Sequence, residues 1–216
     1  DEQGLYVTDG DCGQCGNNCS ALNLPNAQGV CNTDKAIPDC AMACEPGFHD
    51  VNLNPSDGCE CEYASAEDLP DGVDQDCDGV DGEVGNAIFV AKNGDDGGPG
   101  TQAAPVLTIN AALDKAKATG KRDVYVATGV YATSVALKDG VSLYGGFSSD
   151  FQIREVILYE TVIMGQAPTP LLPGVVTATG ITTPTTALDG FTIFGYDTNL
   201  SAESSYGIYV RDSDQD

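Results

Sequence analysis

Hydrophobic and polar positions change their pattern near residue 87. After that point, short apolar triplets rich in β-branched and aromatic residues recur between turn-forming residues. The triplets are VYV at 124–126, VSL at 141–143, VIM at 162–164, FTI at 191–193 and IYV at 208–210, and a further apolar run, VVTA, occupies 175–178. Their spacing of mostly 16–20 residues predicts one coil per repeat, with each coil stacked on its neighbour around a shared core. We expect roughly four or five coils after Lys121.

A single amphipathic helix is predicted ahead of these repeats. A short strand at 88–92 and a Gly/Asp/Pro-rich loop at 93–105 precede a helix at 108–119. Thr108 is in position for an N-cap, and Gly120 follows the last helical residue. Four apolar residues fall on one face at helical spacing: Ile109, Ala112, Leu113 and Ala116. We expect this helix to lie across the end of the coil stack, where it would shield unpaired strand edges.

The segment from residue 87 to residue 147 combines these features in one order. A strand, the loop GDDGGPG, a short helix and the strand-rich stretches DVYVATGVY and VSLYGGF follow one another. This order resembles the start of a right-handed parallel β-helix of the pectin-lyase-like class. The resemblance implies a mainly β fold with an N-terminal capping helix, in a secreted or surface protein. Both polysaccharide-cleaving enzymes and inert stalks use this fold, so the fold does not define the activity.

All nine cysteines lie in the first 77 residues. Dense cysteine compensates for a thin apolar core in small secreted modules, so we expect disulfides and a secreted, extracellular or cell-surface location. The CxxCxxxC spacing at 12–19 also suits zinc or an iron–sulfur cluster, but no paired histidine motif accompanies it. The odd number leaves at least one thiol free or bonded to another chain, and we expect Cys77 to pair with Cys59 or Cys61. The disulfide candidates are Cys12, Cys15, Cys19, Cys31, Cys40, Cys44, Cys59, Cys61 and Cys77.

Charge is distributed unevenly along the chain, whose net charge is −24. Residues 1–83 hold 19 acids and one base, whereas residues 84–216 hold 14 acids and 8 bases. Such an acidic front repels nucleic acid and anionic lipid and favours cations, above all calcium. No stretch approaches the roughly 18 apolar residues that a membrane span needs. We divide the chain into a cysteine-rich disulfide module at 1–63, an acidic connector at 64–86 and the N-terminal part of a parallel β-helix at 87–216.

The connector contains an alternating acidic motif, DGVDQDCDGVDGE, at 71–83. Alternating carboxylates followed by glycine let a tight loop point several oxygens inward, as calcium requires. The stretch DQDCDG matches the opening of an EF-hand loop. The match then fails, because position twelve counted from Asp74 is Gly85 and not glutamate. The motif is therefore not an EF-hand.

The motif resembles the DGxDxDCDGxxD metal-binding repeats of secreted bacterial proteins and, more distantly, the aspartate-rich repeats of thrombospondins. The cysteine spacing CGxCGxxC, with the later GFxDxN and DGCE, likewise resembles modules at the front of large secreted bacterial proteins. The resemblance implies calcium as the cofactor. It gives six ligand candidates: Asp71, Asp74, Asp76, Asp78, Asp81 and Glu83. The alternative is a solvated acidic linker rich in Asp-Gly turns.

No catalytic residues are assigned from the sequence. The single histidine, His49, is not part of an HExxH or Ser/His/Asp set, and GDDGGPG lacks the lysine of a phosphate loop. Arg154 and Arg211 are the basic residues in or near the later coils, and neither lies in an acidic cluster along the sequence. The sequence leaves enzymatic activity open and favours a non-enzymatic role.

These observations favour an extracellular structural or adhesive surface protein, such as a stalk, an adhesin or a filament component, stabilised by disulfides and calcium. One alternative is a polysaccharide-active lyase or hydrolase with its catalytic coils beyond residue 216. The other is a carbohydrate-binding module with Tyr144, Tyr206 or Tyr209 as exposed stacking platforms. No amphipathic cap follows Val210, so we expect further coils or another copy of the chain to cover the last coil.

Overall fold

The computed structural model describes residues 6–168, 173–197 and 204–213. The chain separates into two compact units. Unit 1 comprises residues 1–68 and 74–79, and unit 2 comprises residues 69–73 and 80–216. The residues of the acidic connector are therefore shared between the two units. The protein is mainly β and disulfide-rich, and no helix among the described residues is long and apolar enough to cross a membrane.

Unit 1 consists of short antiparallel strands. They form a hairpin (β1, β2), a three-stranded sheet (β3, β4, β5) and a second hairpin (β6, β7). Their bounds are β1 Val7–Thr8, β2 Asp11–Cys12, β3 Asn23–Leu24, β4 Ala27–Asn32, β5 Asp39–Cys44, β6 Phe48–His49 and β7 Cys61–Glu62. A single turn of 3₁₀ helix, Cys19–Ala21, packs against β4. Gly29 of β4 allows this packing, because a Cβ there would lie 1.9 Å from the carbonyl oxygen of Cys19.

Four disulfides cross-link unit 1: Cys12–Cys31, Cys19–Cys40, Cys44–Cys59 and Cys61–Cys77. Cys12, Cys19 and Cys59 have no exposed surface, so cystine sulfur fills much of the interior of this small unit. Of the two partners predicted for Cys77, the structure has Cys61. Cys15 is exposed and stands outside the four bridges, as the odd cysteine count requires.

Unit 2 contains three parallel sheets. In spatial order they are β15-β12-β9-β8 (the first sheet), β10-β13-β16 (the second sheet) and β11-β14-β17 (the third sheet). The bounds are β8 Ala87–Val90, β9 Asp123–Ala127, β10 Gly129–Ala132, β11 Val135–Ala136, β12 Ser142–Phe147, β13 Thr161–Met164, β14 Gly174–Thr179, β15 Leu188–Asp189, β16 Phe191–Phe194 and β17 Tyr206–Arg211. From β9 onwards, consecutive strands enter the first, second and third sheets in rotation.

The predicted repeat of 16–20 residues is confirmed between β9 and β12, where Asp123 pairs with Ser142 nineteen residues later, but it is wrong as a coil length for the strands that follow. Strands at that spacing mostly belong to different sheets: VSL at 141–143 contributes to the first sheet and VIM at 162–164 to the second. Pairing within the second sheet joins Thr161 to Phe191, thirty residues later. Pairing within the third sheet joins Val176 to Ile208, thirty-two residues later. The strands described after Lys121 therefore make three rounds of the sheets, fewer than the four or five predicted.

The predicted helix is confirmed as α1, Ile109–Thr119. The Thr108 side chain accepts the N–H of Ala111 at 3.3 Å, and Gly120 ends the helix with a φ of +72°. The four predicted apolar positions of α1 are fully buried. They pack with Ile88 and Val90 of β8 and Val124 and Val126 of β9 in a core that continues through the inward-facing residues of the other sheets.

A second apolar cluster lies on the opposite face of the first sheet. Phe89, Tyr125, Phe147 and Phe151 pack there, with ring centroids 4.9 Å apart for Phe89 and Phe151. The end of the acidic motif joins this cluster, because Val80 is fully buried in it. Gly82 passes so close to the sheet that a Cβ would lie 2.3 Å from the Tyr125 hydroxyl oxygen. Residues 80–82 are thus part of the packing of unit 2.

Candidate metal centre

Three aspartates of unit 1 form a compact carboxylate group. One carboxylate oxygen from each of Asp68, Asp74 and Asp76 lies within 4.8 Å of the others. Asp68 is almost fully buried, at 2% exposure, whereas Asp74 and Asp76 are half-buried. Three carboxylates at this separation repel one another strongly unless a cation or protons neutralise them. We refer to these three residues as the aspartate triad.

Backbone N–H groups orient each carboxylate of the triad. Asp68 Oδ1 accepts the N–H of Gln75 at 3.1 Å, and Asp74 Oδ2 accepts the N–H of Gly79 at 2.9 Å. Asp76 Oδ1 accepts the N–H of Asp78 at 3.1 Å. The loop that provides these bonds turns through two residues with positive φ, Cys77 at +58° and Gly79 at +93°. The side chains are therefore held in position by the local course of the backbone.

Asp74 has a buried carboxylate oxygen and a raised pKa. Its Oδ1 atom is buried and has no hydrogen-bond partner among the described residues. Desolvation by burial raises the pKa of Asp74 above its ordinary value, although the N–H groups of Gly79 and Cys77 oppose the shift. The neighbouring charge of Asp76 raises this pKa further. A buried, unpaired carboxylate oxygen is costly in free energy, and a bound cation would remove that cost.

Only part of the predicted ligand set belongs to this group. Asp74 and Asp76 lie in the triad, and the structure adds Asp68, which is not among the predicted ligands. Asp78 belongs to the same loop of unit 1 but contributes its backbone N–H to Asp76. Asp68 stands six residues before Asp74, outside the alternating DQDCD stretch. The only sequence signal for it was its acidic side chain within the connector.

The remaining predicted ligands, Asp71, Asp81 and Glu83, belong to unit 2. Asp81 is 2% exposed, and its two carboxylate oxygens accept the N–H groups of Asp71 at 2.9 Å and Gly72 at 2.8 Å. Asp71 Oδ1 accepts the N–H of Val73 at 3.2 Å. Glu83 immediately precedes a 3₁₀ turn, Val84–Asn86. Asp81 thus stabilises the turn at residues 71–72 through charge-assisted hydrogen bonds.

The oxygen-only donor set of the triad fits a hard cation. Calcium takes six to eight oxygen ligands from carboxylates, backbone carbonyls and water, whereas zinc and copper prefer nitrogen and sulfur. The other close group of metal-binding side chains among the described residues is Cys12, Cys19 and Cys40. All three sulfurs are bonded in disulfides, so they offer no thiolate to a metal.

A polar groove of about 430 Å³ lies in unit 2. It is lined by Asp71, Gly72, Arg154, Glu155, Val156, Asp189 and Gly190. Arg154 lies in no acidic cluster along the sequence, but the fold brings carboxylates distant in sequence, Asp71 and Asp189, to the same groove. A smaller depression of about 230 Å³ adjoins it and shares Val156 and Gly190.

The three tyrosines predicted as stacking platforms differ in exposure. Tyr144 is half-buried, and the Arg154 guanidinium lies 5.5 Å from its ring centroid, so one face of the ring is covered. Tyr206 is 47% exposed, and its ring centroid lies 5.8 Å from that of the half-buried Tyr209. Of the three, only Tyr206 retains a largely accessible side chain.

A family model with the description "Protein of unknown function (DUF1565)" matches residues 92–215, which is more than half of the chain. The chain has no match among curated proteins or solved structures. The matched region begins in unit 2 after β8 and includes α1 and the strands β9 to β17. The aspartate triad and the four disulfides lie before it.

Proposed function

Because this chain belongs to the DUF1565 family, which is associated with pectin-lyase-like β-helices, we propose that it is an extracellular structural or adhesive surface protein. In this proposal, unit 2 is the N-terminal part of a right-handed parallel β-helix with α1 as its cap. Unit 1 is a small module stabilised by disulfides and by calcium. The rotation of strands through three parallel sheets supports the β-helix, since stacked coils with three strands each produce that order.

An extracellular location is supported by the cysteine chemistry. Eight of the nine cysteines pair in four bridges, and unit 2 contains none. Structural disulfides of this density persist in oxidising compartments and are rare where thiol reductants dominate. Antibody labelling of intact cells of the source organism tests the location. Labelling that requires permeabilised cells would contradict it.

The proposal that the chain binds calcium rests on one observation: the Oδ1 atom of Asp74, within the triad, is buried and has no hydrogen-bond partner among the described residues. Asp68, Asp74 and Asp76 would hold the ion, with backbone carbonyls or water completing the shell. The ion would neutralise the mutual repulsion of the carboxylates and stabilise the loop. Binding of a ligand to the native state alone stabilises it by about 2.7 kcal/mol at a ligand concentration of 100 Kd.

Thermal melting and limited proteolysis of the full chain, in calcium and in chelator, test this proposal. We expect chelation to lower the Tm of unit 1 and to expose residues 64–79 to protease. Asp74→Asn should reproduce the effect of chelation, whereas Asp34→Asn, at an exposed site of unit 1 outside the triad, should melt like the wild type. Identical melting and digestion in calcium and chelator would mean that the motif is an acidic linker.

Binding of a neutral polysaccharide in the groove beside Arg154 is the second candidate function. The carboxylates that line the groove accept hydrogen bonds, so they match the hydroxyl donors of a sugar. Asp71, Glu155 and Asp189 outweigh the single arginine in charge, which disfavours polyanionic sugars. Retention on immobilised neutral and uronic-acid polysaccharides would test it. Loss of retention in the Glu155→Gln variant would support the groove as the binding site, and equal retention of that variant would exclude it.

A polysaccharide-active enzyme with catalytic coils beyond residue 216 would also cleave the bound polymer, which reducing-end assays detect.

A further inference from the structure

The Cys61–Cys77 disulfide contacts the loop that contains two residues of the triad, Asp74 and Asp76. Cys77 stands between Asp76 and Asp78 in the sequence, in a left-handed backbone conformation with a φ of +58°. Its partner, Cys61, is the first residue of β7 and pairs with His49 of β6. The Cys61 sulfur lies 3.2 Å from the carbonyl oxygen of Asp74. The bridge therefore touches the triad loop at two points. The other three bridges join cysteines that lie outside this loop.

Residues 74–79 are joined to the rest of unit 1 by this bridge and by hydrogen bonds. They belong to unit 1 although the segments on either side, 69–73 and 80 onwards, belong to unit 2. Two backbone hydrogen bonds, from the N–H groups of Ala64 and Ser65 to the carbonyl of Gln75, join this loop to the chain after β7. A third hydrogen bond, from the N–H of Gln75 to Asp68 Oδ1 at 3.1 Å, joins the loop to the buried aspartate. The disulfide is the one covalent bond that joins the loop to unit 1 apart from the chain itself.

We propose that Cys61–Cys77 is the positioning element of the cation site, so that calcium binds tightly only while this bond is oxidised. The inference rests on the calcium site proposed above. In the oxidised chain the bridge holds Asp74 and Asp76 against the buried Asp68. Once the bridge opens, carboxylate repulsion and chain entropy separate the triad. The site would then be completed by oxidation, in the compartment where disulfides form.

The chemical step is ordinary thiol–disulfide exchange. A thiolate of a reductant such as glutathione attacks one sulfur of the bridge and forms a mixed disulfide, and the other cysteine leaves as a thiolate. A second reductant thiolate then attacks the reductant's sulfur in the mixed disulfide, and the remaining protein cysteine leaves as a thiolate. The bridge gains two electrons and two protons, and the reductant becomes its own disulfide. Because binding free energies are reciprocal, calcium must shift this equilibrium toward the oxidised bridge by the factor by which oxidation tightens calcium binding.

Calcium titration of full-length variants by calorimetry tests the proposal, with Cys15→Ser as the common background. We expect the double variant Cys61→Ser/Cys77→Ser to bind calcium at least tenfold more weakly than the background chain. The matched control is Cys44→Ser/Cys59→Ser, which removes a bridge of sequence separation 15 in place of 16, and its affinity should stay within threefold. Equal affinity in the Cys61/Cys77 variant would overturn the inference. Failure of the background chain itself to bind calcium would instead overturn the proposed calcium site.

A measurement on the unmutated bridges covers the case in which a variant does not fold. The chain is equilibrated in glutathione buffers with calcium or chelator, and alkylation with mass mapping reports the reduced fraction of each bridge. We expect calcium to shift the reduction equilibrium of Cys61–Cys77 at least tenfold toward the disulfide. The reduction equilibrium of Cys12–Cys31 should shift less than threefold. A Cys61–Cys77 equilibrium that is the same in calcium and chelator, or an equal shift in all four bridges, would contradict a positioning role for this bond.

Discussion

Arg154 and Asp189 form an asymmetric ion pair in unit 2. The arginine side chain is 6% exposed and the aspartate side chain 59%. Arg154 also donates through Nε to the carbonyl of Gly145 at 2.9 Å and through Nη1 to the carbonyl of Pro70 at 2.5 Å. The buried guanidinium therefore joins the first sheet to segment 69–73, and the carboxylate is its solvent-exposed partner. The two members of the pair should contribute very differently to stability.

We expect Arg154→Met to destabilise unit 2 by about 2–4 kcal/mol. The substitution leaves the carbonyls of Gly145 and Pro70 without their donor, and an unsatisfied buried group costs about 1–3 kcal/mol. Asp189→Asn should cost less than about 1 kcal/mol, because an ion pair with one exposed partner is screened by solvent. Urea unfolding of both variants measures the difference. Equal losses for the two variants would show that the ion pair itself, and not the carbonyl bonds, stabilises this region.

The second prediction separates cation ligands from structural carboxylates. We expect Asp68→Asn to weaken calcium binding at least tenfold, since it removes a charged oxygen from the triad. Asp78→Asn should change the affinity less than threefold, because Asp78 contributes its backbone N–H to Asp76. Calorimetric titration of both variants provides the measurement. A larger loss in Asp78→Asn than in Asp68→Asn would favour the ligand set drawn from the sequence motif.

Asp81→Asn should lower stability and leave calcium affinity within threefold. An asparagine side chain offers one acceptor oxygen where the carboxylate offers two, so it cannot accept the N–H groups of Asp71 and Gly72 in the same way. We expect a cost of about 1–3 kcal/mol in the unfolding of unit 2, measured by urea titration. Tenfold weaker calcium binding with unchanged stability would reverse this assignment of Asp81.

Local signals made α1 predictable, and non-local pairing made the coil length unpredictable. The helix is specified within thirteen residues by the cap at Thr108, the apolar period and Gly120. A coil is specified by pairs such as Thr161 with Phe191, and no local pattern shows which triplets share a sheet. The sequence therefore predicts strands and a β-rich repeat, while the number of strands per round comes from tertiary structure.

The residues of the candidate metal site were likewise predictable from the sequence only in part. Alternating aspartates predicted Asp74 and Asp76, because tight loops bring alternating side chains together. Asp68 joins them through the bend between residues 68 and 74, which the motif does not specify. Asp81 carries the same side chain as the ligands, but its environment gives it two backbone N–H groups to accept. Residue type alone cannot distinguish these roles.

Reduction should unfold unit 1 and leave unit 2 folded. Every disulfide lies in unit 1, whose interior is largely cystine, whereas unit 2 has an apolar core without cysteine. Removal of native disulfides from small secreted domains typically costs about 2–5 kcal/mol for each bridge. Hydrogen exchange in reductant should show loss of protection before residue 64 and retained protection in β9 and β12. Simultaneous loss of protection in both regions would contradict independent stability of unit 2.

The last prediction concerns Asp123, at the start of β9. The pKa of Asp123 is raised from 3.8 to about 6, chiefly because burial desolvates the carboxylate; the charge of Arg122 opposes this shift and that of Glu83 adds to it. A raised pKa in the folded state means that the folded chain binds the proton more tightly. The associated stability is present below about pH 4 and is lost as the pH rises through 6. At about 1.4 kcal/mol per pKa unit, the loss amounts to at most about 3 kcal/mol.

We therefore expect Asp123→Asn to be more stable than the wild type at pH 7.5 and to match it near pH 4, as measured by urea unfolding of unit 2 across this range. Parallel pH profiles for the two proteins would mean that Asp123 titrates near its ordinary value.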